Sequence, residues 1–259
     1  KLRVNILKRV MKKHIDNVKL KIGTYIDRSN IISDIFIDYY LKFFNYSEFH
    51  FLILDKNFDV VSDYLKTKGF SEDSFEMVKN SHIGVPILLG KQNSFVDHYI
   101  SKGFITIYVD IDEILYHTDL RNYIINNDSD FITPKGVVII PDITENIINK
   151  DDKILNQRSF CVFDDEHHSK VTVLKSYYTW DGGRHNKNGN KISDNIFLID
   201  IGKCCPMIMV NNNIISNNLY SKSTDRYSMT DEKKINDILN DWRNSLTKLP
   251  EYITDSKLF

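Results

Sequence analysis

The chain is poor in cysteine, proline and glycine, with 3, 5 and 10 of them in 259 residues. Cys204 and Cys205 are neighbours and Cys161 is the third, so an odd count with an adjacent pair gives no disulfide framework. They read as buried thiols of a reducing compartment. So little glycine and proline excludes collagen-like and Pro/Gly-rich low-complexity architectures. No apolar run approaches the length of a transmembrane helix, and no signal-peptide pattern is visible. A cytoplasmic location is the default expectation, with the start at Lys1 rather than Met leaving an upstream segment open. Excess charge is lacking too: 34 Lys and Arg against 35 Asp and Glu give a net charge of -1. That argues against a nucleic-acid footprint spread over the surface, and no nucleic-acid partner is expected. Repeats, low-complexity linkers and composition breaks are absent from the sequence.

With 42% hydrophobic, 27% charged and 12% aromatic residues, the composition is that of an ordinary globular protein. Asn, Ile and Lys are abundant, which reads as the coding bias of an AT-rich genome, such as a large DNA virus or a protozoan. The expected organisation is a basic flank over residues 1–17 and one α/β domain over residues 18–259. In the flank, Lys1, Arg3, Lys8, Arg9, Lys12 and Lys13 alternate with apolar residues and read as a solvated basic face.

Hydrophobic periodicity sets the expected elements. Strands are expected at residues 18–22, 49–54, 85–89, 136–140, 160–163, 171–174 and 195–201. Helices are expected after Ser29 as N-cap, at residues 60–68 before Gly69, at 93–102 before Gly103, and at 117–126. An amphipathic C-terminal helix is expected at about residues 230–248, with Ile235, Ile238, Leu239, Trp242 and Leu246 on one face.

The most informative stretch is Phe104-Ile105-Thr106-Ile107-Tyr108-Val109-Asp110-Ile111-Asp112-Glu113-Ile114-Leu115. An uncharged, largely β-branched and aromatic run reads as a strand buried on both faces. Asp110 and Asp112 follow it, at the strand end where open α/β sheets keep their ligands. On extended backbone the two carboxylates would point the same way, repel, and need a cation. Hard oxygen ligands suit Mg²⁺ or Mn²⁺, with water and phosphate oxygens completing the shell. The plainer reading is that acidic residues after a strand are common, because strand ends meet solvent and Asp starts turns.

Two further stretches carry polar chemistry. Gly23-Thr24-Tyr25, between the first strand and its helix, could present backbone N–H groups to an anion, although most strand-loop-helix units bind nothing. Asp55 ends the second strand on the same expected sheet edge. Trp180-Asp181-Gly182-Gly183-Arg184-His185-Asn186 could close over a ligand with a base, a phosphate clamp, an imidazole and a stacking face, or be a plain β-turn. His82 is alone in its surroundings and reads as a surface or core histidine.

Taken together, these segments resemble a family-two type glycosyltransferase of the GT-A fold, close to the group whose metal motif runs Asp-x-Asp-Glu-Phe-Leu. Residues 22–25 resemble the opening strand and loop, Tyr39-Tyr40-Leu41 the following helix, and residues 51–55 the second strand. Gln92 to Leu115 resembles the helix and strand that lead into the acidic motif. The resemblance implies a mixed, mainly parallel central sheet flanked by helices. It also implies transfer of a sugar from a UDP- or GDP-sugar to a glycan or protein acceptor, with Mn²⁺ or Mg²⁺. Asp110 and Asp112 would match the metal motif, Asp110 facing the ribose, and His185 would complete the metal or diphosphate site. Gly23, Thr24, Tyr25 and Asp55 would hold the nucleotide and Arg184 the diphosphate. An inverting member needs a carboxylate base, for which Asp181 is the choice, with Asp142 and Asp164 behind it.

The chain departs from that family at Ile26-Asp27-Arg28, at Ile114 in place of Phe, and at Asp200 where a late strand often ends in His. A rival resemblance is to phosphatases of the haloacid dehalogenase type. There Asp110 would be the nucleophile, Asp112 the acid/base, Lys153 the lysine, and Asp164-Asp165 the late metal acids. A third reading is a non-catalytic interaction domain on a degenerate transferase fold.

Overall fold

The computed structural model describes residues 18–79, 85–140, 160–163, 169–180, 191–201 and 247–248. The basic flank, His82, Asp142, Lys153, Asp164, Asp165, Asp181, Arg184, His185, Cys204, Cys205 and most of the expected C-terminal helix lie outside them.

The chain opens with β1 (Leu20–Ile26), α1 (Ile31–Tyr40), β2 (Phe49–Leu54), α2 (Phe58–Thr67), β3 (Phe75–Val78), α3 (Val85–Ile100) and β4 (Ile105–Tyr108). It continues through β5 (Glu113–Tyr116), α4 (Leu120–Asn126), β6 (Phe131–Ile140), β7 (Phe160–Phe163), β8 (Val173–Leu174), β9 (Ile192–Asp200) and β10 (Thr247–Lys248). The sheet runs β10-β7-β6-β8-β4-β1-β2-β3, with β9 on β6 and β5 on β9. β4, β1, β2 and β3 are mutually parallel, so their C-terminal ends share one edge. β3-β2-β1-β4 is the strand order of a Rossmann-type half. β8 then runs antiparallel to both β4 and β6, and β9 parallel to β6. The α/β class and the mixed, mainly parallel sheet flanked by helices agree with the expectation.

Alternation along the strands explains the two layers of core. Ile22, Phe51, Ile53 and Ile107 bury against Phe36 and Tyr40 of α1, Val61 and Leu65 of α2, and Leu120 and Ile124 of α4. Leu52, Leu54 and Tyr108 point the other way, onto Phe95 and Val96 of α3 and onto Trp180. Helices therefore cover both faces, which is why the parallel strands read as continuous apolar runs.

Several boundaries differ from the sequence reading. Gly23, Thr24 and Tyr25 belong to β1 and not to a loop. The N-cap of α1 is Asn30, one residue after Ser29: its Oδ1 accepts from the N–H groups of Ile32 and Ser33, and Ser33 Oγ accepts from the Asn30 N–H. Residues 85–89, expected as a strand, begin α3; Pro86 sits in the first turn, where a missing N–H costs nothing. β6 extends far upstream of Gly136 and carries Pro134 at a register shift, where a strand tolerates proline. Thr247 and Lys248, the end of the expected C-terminal helix, pair as a strand with β7.

Candidate active site

β4 stops at Tyr108, and Asp110 and Asp112 after it belong to no strand. Glu113 N–H donates to the Asp110 carbonyl at 2.9 Å, which closes a tight turn over residues 110–113. The turn is closed a second time when the Asp110 N–H donates to Glu113 Oε2 at 2.9 Å. Asp110 and Asp112 thus stand on a turn between β4 and β5, contrary to the expected side-by-side placement on one strand.

Neighbouring elements bring two further charged groups. β9 runs antiparallel to β5 with Asp200 opposite Glu113, and the Ile201 N–H donates to the Asp112 carbonyl at 2.8 Å. β8 pairs Thr106 with Leu174 and Ile107 with Val173, and Tyr108 N–H donates to the Thr172 carbonyl. The same antiparallel register, continued, sets Lys170 opposite Asp110. Lys170 Nζ lies 2.9 Å from Asp110 Oδ2 and also pairs with Glu113 Oε1. The Lys170 side chain is 8% exposed and the Glu113 side chain 5%, against 38% for Asp110. Asp110 therefore faces outward while the Lys170–Glu113 pair forms the floor.

The balance of charge is uneven. Burial pushes the Asp112 carboxyl well above the usual carboxylate range. The Asp200, Asp110 and Glu113 carboxylates push it further, and Lys170 opposes them. Part of Asp112 still meets solvent. The outer edge of β5 is pinned from α1. Tyr39 OH donates to the Leu115 carbonyl at 2.8 Å, and Tyr40 OH accepts from the Leu115 N–H at 2.7 Å and donates to the Glu113 carbonyl at 3.2 Å.

The other expected site residues fall as follows. Gly23 pairs with Tyr108 across β1 and β4, so Tyr25 lies level with Asp110. A Cβ on Gly23 would come within 2.7 Å of the Phe95 ring, so the space beside this glycine is filled by α3. Thr24 is buried, with its hydroxyl 3.5 Å from the Tyr25 carbonyl, and Tyr25 is half-buried. Asp55 is exposed, opens a 3-10 turn after β2 and accepts from the Lys56 N–H. It shares the sheet edge with Asp110 but stands two strands away, roughly 10 Å across at ordinary strand spacing. Trp180, expected as a stacking face, is a core residue: its indole N–H donates to the Val171 carbonyl, and it packs on Tyr108 and Tyr178. Asp181, Arg184 and His185 lie outside the described residues.

The structure thus brings Asp110 and Asp112 together with two groups the sequence reading did not assign to the site, Lys170 and Asp200. Asp200 was visible as the acidic end of a late strand. Lys170 carried no signal, because only the β4–β8 register places it.

A cation fits the donor set in one respect: every candidate ligand is a hard carboxylate oxygen, and Asp112 lacks enough positive charge around it. Among the described residues, no three His, Cys, Asp or Glu side chains are arranged to hold a metal ion. Such a cation would rest on one or two carboxylates, as Mg²⁺ commonly does when water and phosphate oxygens supply the rest.

No protein-family model matches the chain, and no curated protein matches it. Likenesses among solved structures are distant. A candidate glucose-1-phosphate thymidylyltransferase from Bacillus anthracis, in complex with a sucrose, is 11% identical with a TM-score of 0.33, over 87% of this chain and 84% of that one. HddC from Yersinia pseudotuberculosis, complexed with GMP-PN, is 12% identical with a TM-score of 0.35, over 73% and 95%. S. aureus TarS 1-349, in complex with UDP-GlcNAc, is 11% identical with a TM-score of 0.33, over 87% and 72%. The fold rests on the strand order and register described above, not on these likenesses. Among the described residues, no helix is long and apolar enough to cross a membrane.

Proposed function

We propose that the chain is a nucleotide-sugar-dependent glycosyltransferase whose acidic turn grips a divalent cation. The observation that carries this reading is the position and charge of Asp112. It stands on the turn after β4, at the shared C-terminal edge of the parallel strands, with its ionised form disfavoured by burial and by Asp200, Asp110 and Glu113. A carboxyl so placed is a poor structural choice and a good cation ligand.

Asp112 would hold the cation, with Asp200 or Asp110 as a second oxygen donor, and Mn²⁺ or Mg²⁺ would stabilise the charge that develops on a nucleoside diphosphate leaving group. Tyr25, Thr24 and Asp55 lie on the same edge, where the nucleoside of a UDP- or GDP-sugar would sit, and Asp110 would meet its ribose. Arg184 would clamp the diphosphate and His185 would complete the metal site. Asp181 would take the proton of the acceptor hydroxyl as that oxygen attacks the anomeric carbon, with inversion.

The test is a panel of UDP- and GDP-sugars with Mn²⁺, read by thermal shift and by released nucleoside diphosphate. One donor is expected to raise the melting temperature in the wild type and not in Asp112→Ala. Hydrolysis of a generic phosphomonoester, with no nucleotide effect, would move the reading to the phosphatase. Nucleotide binding without turnover would leave a non-catalytic domain.

A further inference from the structure

We propose that Lys170 is a positioning residue that holds the acidic turn closed, so that Asp112 can meet a cation while Lys170 itself stays out of the way. This rests on the cation-binding reading above and deepens it.

Three observations converge on the ammonium group. It is shared between Asp110 Oδ2 and Glu113 Oε1, the first and last residues of the turn. Glu113 uses its other oxygen, Oε2, to accept the Asp110 N–H, so the carboxylate is held from both sides. Lys170 is carried on backbone whose register is fixed against β4 only a few residues away, so its reach is set by the sheet and not by a mobile loop. A loss of this ammonium would leave Asp110 and Glu113 repelling each other across a turn whose closure needs them together.

The usual electrostatic expectation runs the other way. A lysine near a cation site repels the cation, so its removal should tighten binding. Here removal opens the turn that presents Asp112, and binding weakens. The sign of the change separates positioning from simple repulsion.

The experiment compares wild type, Lys170→Met and Lys170→Arg, each full length and stripped of metal. Amide exchange by NMR reads the Asp110 and Glu113 N–H groups, and electron paramagnetic resonance reads Mn²⁺ uptake. In Lys170→Met, both amides should exchange at least about tenfold faster while those of β1 and β2 are unchanged. Mn²⁺ should bind roughly ten- to a hundredfold more weakly, the usual effect of removing a group that orients a ligand. Lys170→Arg keeps the charge and should restore both.

Unchanged protection of the two amides, or tighter Mn²⁺ binding by Lys170→Met, would overturn the proposal. Should Lys170→Met fail to fold, Lys170→Arg decides: wild-type protection and Mn²⁺ binding support the role, and loss of either contradicts it. A wild type that takes up no Mn²⁺ would sink the cation-binding reading. The exchange result would then judge Lys170 alone.

Discussion

Two carboxylates in this molecule are pushed in opposite directions by their surroundings. Glu76 on β3 accepts from His50 at 3.1 Å and from Lys91 at 2.7 Å, and His50 also meets Tyr99 OH. The hydrogen bond from His50 leads, Lys91 adds to it, and the Glu76 carboxyl is held down at about 2. Asp112, on the turn between β4 and β5, meets Asp200, Asp110 and Glu113 with Lys170 as the opposing charge, and is pushed well above the ordinary range. The first cluster is satisfied by the protein itself. The second is short of positive charge, which is the feature the proposed cation site rests on.

The largest expected effect is at the second cluster. Asp112→Asn should abolish the Mn²⁺-dependent thermal shift. It should also stabilise the metal-free protein at neutral pH, because Asn removes the ionisation that burial and the Asp200, Asp110 and Glu113 carboxylates disfavour. Chemical denaturation with and without Mn²⁺ checks both signs. A destabilised metal-free Asp112→Asn would erase the contrast with Glu76.

Gly23→Ala tests whether this glycine serves packing. Its Cβ would press on the Phe95 ring, which is itself enclosed by His50, Tyr99 and Tyr108. A loss of about 1–3 kcal/mol is expected, the usual range for overpacking. Nucleotide affinity, measured by calorimetry on the folded fraction, should change little. Unchanged stability with lost nucleotide binding would return Gly23 to the phosphate role.

Tyr40→Phe removes the hydroxyl that serves both Glu113 and Leu115. Leaving a buried N–H and carbonyl short of a partner costs about 1–3 kcal/mol, read by urea denaturation.

Glu76→Gln should have the smallest effect, below about 1 kcal/mol, because the side chain is 39% exposed and solvent screens its ion pairs. Its pH signature is specific. A carboxylate with a lowered folded-state pKa stabilises fully above its unfolded value near 4.3 and loses that contribution as pH falls towards 2. The difference between wild type and Glu76→Gln should therefore be constant above about pH 5, shrink as pH falls, and vanish only below about pH 2. A difference that grows on acidification would contradict the ion-pair account.

Much of the fold was legible from pattern. Phe49–Leu54 and Phe160–Phe163 form the strands that their apolar runs announce. Gly69 and Gly103, with φ of 96° and 74°, mark the ends of α2 and α3 as glycines do. The failures share a cause. Residues 85–89 are apolar without a period, so length and context decided for helix where periodicity could not. Gly23 drew attention as a loop glycine because sequence does not show Phe95 arriving from another element.

At the site, Asp110 and Asp112 could be singled out from local spacing alone, but their setting could not. Lys170 and Asp200 reach them through the register of β8 and β9, a long-range property invisible in either segment. The turn also replaced the expected extended backbone, because the Asp110–Glu113 contacts favour closure.

The most direct measurement is anomalous diffraction from crystals soaked with Mn²⁺ and UDP. The account predicts a manganese peak at coordination distance from the Asp112 carboxylate, with the uridine along the edge formed by β1 and β2. A manganese and nucleotide bound elsewhere, with Asp112 untouched, would contradict it.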